Sequence, residues 1–346
     1  MKKRILITSF TLIMSLLLVA CNTNNTTQNT EDTEKEADTS KLKIYTTIFP
    51  LEDFTKKIGG DLIEVESVLP PGVDGHTYEP TTKTMVDIAK SAGFIYSGFG
   101  IESFADKVQQ SLEKEDVAFI NAGEGIELAT NEHAEDEHAH EEDEHAGEEA
   151  AHEDEHAHEE DEHAGEDATH DHGDTDPHVW LDPILSIQLA ENIKNALIDL
   201  DPSNTETFEK NFETLKTQLE ELDHSFEEVV ANSEKKEILV SHAAYGYWES
   251  RYGIEQISVL GLSPTEEPSQ KELQNIIETA KEHKLKYIIF ETNVSSNVTD
   301  IVQTEIGAEA LTLSNLESIT EENIKNKEDY FSLMTKNLKT LEQALN

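Results

Sequence analysis

The chain has 346 residues, and 15 of them are histidines. Imidazole is the commonest protein ligand for transition metals, and its neighbours decide whether it is held rigidly enough to serve. The stretch "HDHGDTDPHVWLDP", residues 170–183, shows two settings side by side. His170 and His172 end a long His/Glu/Asp run. His178 is followed at once by Val179, Trp180 and Leu181, apolar residues of the kind that fold inward.

Five histidines lie outside the run: His76, His178, His224, His242 and His283. His224 falls on the polar side of a helical pattern and His283 sits in "KEHKLK", so both read as solvated. The other three follow apolar runs or sit in loops beside them. His76 lies in "LPPGVDGHTYEP", His178 in "DPHVWLDP", and His242 closes "EILVSH". One carboxylate shares that setting, Glu291 near the end of "YIIFET", and a carboxylate closing an apolar strand is costly to bury without a partner. Three imidazoles and one carboxylate make a closed tetrahedral set suited to Zn²⁺. A second arrangement fits the spacings as well. In it the histidines bond to backbone within a cleft, and Glu291 caps the helix that follows. Glu79, Asp176 and Asp182 could each take the second ring N–H of a histidine. Turn and cap chemistry at "YEP", "TDP" and "LDP" is the better reading of each. Tyr78, Trp180, Tyr245, Tyr247 and Trp248 read as packing around the cleft.

These residues need elements to hold them. Strand candidates are 42–49, 63–69, 93–99 and 117–122, separated by helix candidates near 50–59, 83–91 and 102–114. That alternation predicts βαβ units with a parallel sheet. "PILSIQLAENIKNALIDL" (183–200) has helical apolar spacing. In 201–233, Phe208, Phe212, Leu215, Leu219, Leu222, Phe226 and Val229 recur every three or four residues with no interior Gly or Pro. About 30 helical residues span about 45 Å, a strut between lobes. A second series follows, with strands at 237–242, 254–262, 285–292 and 308–314, and helices at 268–284, 295–306 and 321–345. The fold class is α/β: two βαβ lobes joined by a long helix. The domains divide as 41–200, 201–233 and 234–346. Ligands of open α/β sheets bind beyond the carboxyl ends of the strands, which places the site in the cleft between lobes.

The run itself, 131–176, has 22 Asp/Glu, no Lys or Arg, and ten histidines: His133, His138, His140, His145, His152, His156, His158, His163, His170 and His172. "DEHAHEEDEHAGE" occurs at 136–148 and again at 154–166, a period of 18. Nothing larger than Ala in either copy could enter a core, so disorder and weak metal binding are expected. The formal charge is −47, and what remains outside the run is still acidic, which excludes a nucleic-acid partner.

At the amino terminus Lys2, Lys3 and Arg4 precede an apolar stretch of 16 residues, the pattern of a secretory signal. It ends in "LVAC", which resembles the lipobox of bacterial lipoproteins. The resemblance implies cleavage after residue 20 and lipidation of Cys21, the only cysteine. Two acyl chains would hold the protein stably on a membrane. Residues 22–40 have almost nothing to bury and read as a disordered tether.

"GHTYEPTTKTM", "DPHVWLDP", "SHAAYGYW" and "FETNVSSNV" resemble, in order, the signatures of zinc-binding solute-binding proteins of bacterial ABC transporters. The resemblance covers roughly residues 42–346. It implies two α/β lobes with one metal between them, held by His76, His178, His242 and Glu291. It also implies a membrane permease as partner, a lipid-anchored place on the extracytoplasmic face, and no enzymatic activity. We expect a monomer. The manganese-binding branch carries a carboxylate at the position of His242, and an N₃O shell favours Zn²⁺ over Mn²⁺. Alternative functions are manganese transport and a His-rich surface zinc buffer or adhesin. A metallohydrolase would need an open coordination position and a general base, and the four-ligand set offers neither.

Overall fold

The computed structural model describes residues 41–129, 175–292, 294 and 296–346. The signal stretch, Cys21, the tether and the ten histidines of the acidic run lie outside them.

The first strand series forms β1 (Leu42–Thr46), β2 (Ile63–Ser67), β3 (Gly93–Tyr96) and β4 (Ala118–Asn121), alternating with α1 (Phe49–Gly59), α2 (Thr82–Ile88) and α3 (Ala105–Ser111). The strands pair in parallel in the order β2-β1-β3-β4. Next come α4 (Pro183–Leu200) and α5 (Thr205–Asn232). The second series gives β5 (Glu237–Val240), α6 (Gly246–Tyr252), β6 (Glu255–Ser258), α7 (Gln270–Glu282), β7 (Tyr287–Glu291), α8 (Asn297–Ile306) and β8 (Glu309–Leu313). Its order, β6-β5-β7-β8, repeats that of the first sheet, again parallel. The chain closes with α9 (Glu321–Lys325) and α10 (Tyr330–Ala344).

The registers repeat as well as the order. Thr46 sits opposite Ser67 and Ile95, and Val240 sits opposite Ser258 and Ile289. His242 therefore occupies in the second lobe the position of Ile48 in the first, and Glu291 that of Ser97.

Alternate residues of each strand face opposite sides of its sheet. Ile44 and Ile95 join Ile238, Val240 and Ile289 of the other sheet in one apolar cluster, which runs through α4 and α5. Tyr45 and Phe94 face a separate cluster with Phe104 and Val108, and Leu239 and Ile288 a third with Val302. Asp182 caps α4 by accepting from the amides of Ile184 and Leu185 at 2.8 and 3.1 Å.

Along α5 the buried positions are those expected up to Phe226, but the next is Val230, not Val229. The stripe steps by four there, which keeps it on the face turned to the core. The expected helix 321–345 is broken. Asp329 accepts from the Ser332 amide at 2.9 Å and starts α10 anew, while Lys327 takes a left-handed φ of 57° between the two helices. α6 lies in a stretch, 243–253, to which no element was assigned from the sequence.

Candidate metal centre

His76 is carried by the loop between β2 and α2. Its amide donates to Asp74 Oδ1 at 2.8 Å, which closes a local turn. His178 lies just after Thr175, on the turn that leads into α4. Asp176 Oδ1 accepts from the His178 amide at 2.9 Å and from its Nδ1 at 2.8 Å. That second bond fixes the tautomer and leaves Nε2 as the free lone pair. Asp176 was expected to do turn chemistry alone, and here one oxygen does both jobs. His242 follows β5, whose end is held by the Ser241 amide donating to Ile289 O at 2.9 Å.

The three imidazoles meet. Ring centroids are 4.9 Å apart for His178 and His242, 5.7 Å for His76 and His178, and 6.0 Å for His76 and His242. One nitrogen from each lies within 4.8 Å of the others. A tetrahedral shell with Zn–N near 2.1 Å would bring neighbouring nitrogens to about 3.4 Å, so small shifts close it. Nε2 of His76 and of His178 are buried with no hydrogen-bond partner among the described residues. Leaving a buried polar nitrogen unpaired costs about 1–3 kcal/mol, a cost that a bound cation removes.

Glu291 stands behind His242, not beside all three rings. His242 Nδ1 faces its two oxygens at 3.1 and 3.2 Å. Tyr245 donates its hydroxyl to Oε1 at 3.1 Å, and Asn315 its amide to Oε2 at 3.0 Å. His242 Nε2 meets Leu262 O at 2.8 Å. Burial opposes charge on His242, but Glu291 and the Leu262 carbonyl outweigh it and raise the pKa to about 9. Burial, with His178 and His242 close by, pushes His76 down to about 3. Glu317, hidden behind the site, is pushed up to about 8 by burial and by Asp74.

Aromatic residues fix the frame. Trp180 Nε1 donates to Asn315 O at 2.7 Å, and Trp248 Nε1 to Leu181 O at 2.8 Å, so the His178 turn is held from both sides. Tyr247 donates to Asp176 O at 2.8 Å and accepts from the Ala129 amide at 3.3 Å. The mouth is a cavity of about 150 Å³ lined by His76, Phe99, Ile101, Thr175, Leu262 and Glu266.

Other candidates stand elsewhere. His224 is exposed on α5 beside Glu227, and His283 pairs with Glu237 at 2.9 Å. Glu79 makes an exposed ion pair with Lys107 at 3.1 Å. Asp182 caps α4 and takes Arg251 Nε at 2.5 Å. Asn315 and Glu317 were not singled out from the sequence; they carry no histidine, glycine or turn motif to mark them.

The family model described as ZnuA, zinc-uptake complex component A, periplasmic, matches residues 44–344. The zinc-binding lipoprotein AdcA of Streptococcus pneumoniae (strain ATCC BAA-255 / R6) is 34% identical over 333 residues, which is 96% of this chain but 59% of AdcA. The chain thus spans little more than half of that relative. The high-affinity zinc uptake system protein ZnuA of Bacillus subtilis (strain 168) is 34% identical over 336 residues, 97% of this chain and 96% of its own. Among solved structures, the Zn(II)-bound ZnuA-like domain of S. pneumoniae AdcA matches with a TM-score of 0.68 at 32% identity, covering 88% of this chain and 99% of that one. The fold is the same two-lobed α/β arrangement of parallel sheets. By the extent of these matches, the chain belongs to the ZnuA family of zinc-uptake complex components.

Proposed function

We propose that this protein captures Zn²⁺ between its lobes and delivers it to a membrane ABC permease. His76, His178 and His242 bind the ion through ring nitrogens, while Glu291, expected as the fourth ligand, holds His242 by its Nδ1. The observation that carries this reading is the pair of buried Nε2 atoms on His76 and His178, unpartnered among the described residues, in a cluster of three histidines whose ligand atoms lie within 4.8 Å of one another. Three imidazoles suit Zn²⁺ better than Mn²⁺. Residues 41–200 and 234–346 act as the two lobes and 201–233 as their link. Cys21 carries the lipid that keeps the protein on the extracytoplasmic face. The names of the relatives, zinc-binding lipoprotein and zinc uptake system protein, support both the cargo and the anchor.

The test is zinc titration of purified residues 41–346. One tight site is expected. Changing His76, His178 or His242 to Ala should each weaken it by orders of magnitude, while His224→Ala and His283→Ala leave it unchanged. A His224→Ala variant as weak as His178→Ala would refute the assignment.

A further inference from the structure

In the repeat of the two lobes, the loop from β2 to α2 and the loop from β6 to α7 are counterparts. The first carries His76. The second carries "LSPTEEPS", residues 262–269, and it too lines the mouth of the metal site, through Leu262, Ser263 and Glu266. The loop turns back on itself at Glu266. Its amide donates to Ser263 O at 3.0 Å, and its carbonyl accepts from the Gly261 amide at 3.0 Å. Its carboxylate accepts from the Ser263 amide at 3.3 Å and lies so close over Gly261 that a Cβ there would collide with Oε2. The same turn grips the site beneath it. Leu262 O meets His242 Nε2 at 2.8 Å, and Gly261 O accepts from the Ala243 amide at 3.1 Å.

An ion passing this mouth toward the three histidines meets little that can bind it. Phe99, Ile101 and Leu262 are apolar, and the hydroxyls of Thr175 and Ser263 are not among the ligands zinc takes from proteins. Apart from His76, Glu266 is the one imidazole or carboxylate lining the cavity among the described residues. A space of about 150 Å³ holds about five waters at about 30 Å³ each, fewer than a fully hydrated zinc ion carries. Water is therefore exchanged for protein on the way in. Yet Glu266 stands outside the set of ring nitrogens that lie within 4.8 Å of one another.

We propose that Glu266 is a transit ligand: its carboxylate binds Zn²⁺ at the mouth in place of lost water, and passes it to the three histidines without remaining in the final shell. This rests on the reading of those histidines as the zinc site. Such a role has its own kinetic signature. A group that holds the ion only in passage lowers the barrier equally from both sides, so it speeds loading and release alike and leaves the dissociation constant unchanged. A steering charge acts on loading alone, and a resident ligand acts on release.

Glu266→Gln removes the charge but keeps an oxygen for the Ser263 amide, so the turn survives. Glu267→Gln makes the same change of charge one residue along, outside the cavity lining. Trp180, whose ring lies 5.3 Å from that of His178, reports loading of the site through its fluorescence. Zinc loading of residues 41–346, one compact unit, is followed by stopped flow, release is timed into excess chelator, and affinity comes from chelator competition. Glu266→Gln should slow loading and release alike by about tenfold, with affinity within about twofold of the parent, and Glu267→Gln should change neither rate. Loading slowed without release, release made faster, or both rates left at the parent values overturns the proposal. So does a Glu267→Gln variant as slow as Glu266→Gln. His178→Ala is the control on the site itself. If it binds zinc like the parent, the site assignment fails and this inference with it. If it loses zinc while Glu266→Gln keeps both parent rates, the Glu266 inference alone is wrong.

Discussion

Both ring nitrogens of His242 face oxygen acceptors, Nδ1 at Glu291 and Nε2 at Leu262 O, and its pKa is raised to about 9. Zinc needs a lone pair that the proton occupies, so loading must expel that proton. His76, pushed down to about 3, has none to give at neutral pH. Zinc binding should therefore release about one proton from His242, and affinity should rise roughly tenfold per pH unit between pH 7 and 8.5. Ordinary imidazoles would weaken binding only below about pH 6. Calorimetry in buffers of different ionisation heat counts the protons, and flat affinity across that range would contradict the geometry. Stability of the metal-free protein follows the same groups. The raised His242 pKa stabilises fully below about pH 6.5 and is lost as pH rises through about 9, while the lowered His76 pKa costs stability as pH falls below about 6.5. From these two groups, the melting temperature of the metal-free protein should peak at about pH 6.5. A second change tests metal choice: His242→Glu makes the shell richer in oxygen and should shift competition from Zn²⁺ toward Mn²⁺. Much of this site was legible in advance. The three histidines each adjoin apolar runs, and Glu291 closes a strand whose burial demands a partner. Glu317 was not legible, because its bond to the Gly75 amide joins residues 242 positions apart in sequence. Asp176 was half legible: "TDP" announces a turn, but nothing local says that its oxygen also takes the ring of His178.

At the scale of elements, α5 does the joining. Its buried stripe packs with α4 against strands of both sheets, and each fully buried large apolar side chain contributes about 1.5–3 kcal/mol. Phe226 lies 5.4 Å from Trp248 and from Tyr252, ring to ring, and is completely buried. Phe226→Ala should cost about 3–5 kcal/mol in chemical denaturation, because it opens a cavity under the helix that follows His242. A loss under 1 kcal/mol would mean that the site collapses around the change. Long amphipathic helices such as α4 and α5 were readable from periodicity. α6 was not, since its seven residues give too few turns for a pattern and it opens on Gly246. The break between α9 and α10 was hidden too. "NKEDYFS" contains neither Gly nor Pro, and the stop depends on Asp329 capping through Ser332.

For the molecule as a whole, the described residues on either side of the acidic run are bonded to each other. The Asp176 amide donates to Ala129 O at 3.0 Å, and Tyr247 ties both residues to α6. The run departs and returns at two residues already bonded to each other. Thr175, at its end, lines the mouth beside His76. Deleting residues 131–175 should therefore leave the fold and the tight site intact, and remove only weaker zinc equivalents. Loss of the tight site on deletion would show that the run supplies a ligand. The joined ends also bear on the 18-residue repeat. With the closure point fixed, the entropy of closing an unstructured loop grows only with the logarithm of its length, about 0.6 kcal/mol per doubling. A third copy should lower the melting temperature of the metal-free protein by no more than about 1–2 °C, while zinc equivalents rise in step with the copies. Copy number is then a dial that replication slippage can turn almost without thermodynamic consequence. Histidine content could drift between related strains to match zinc supply, with the fold indifferent to the count.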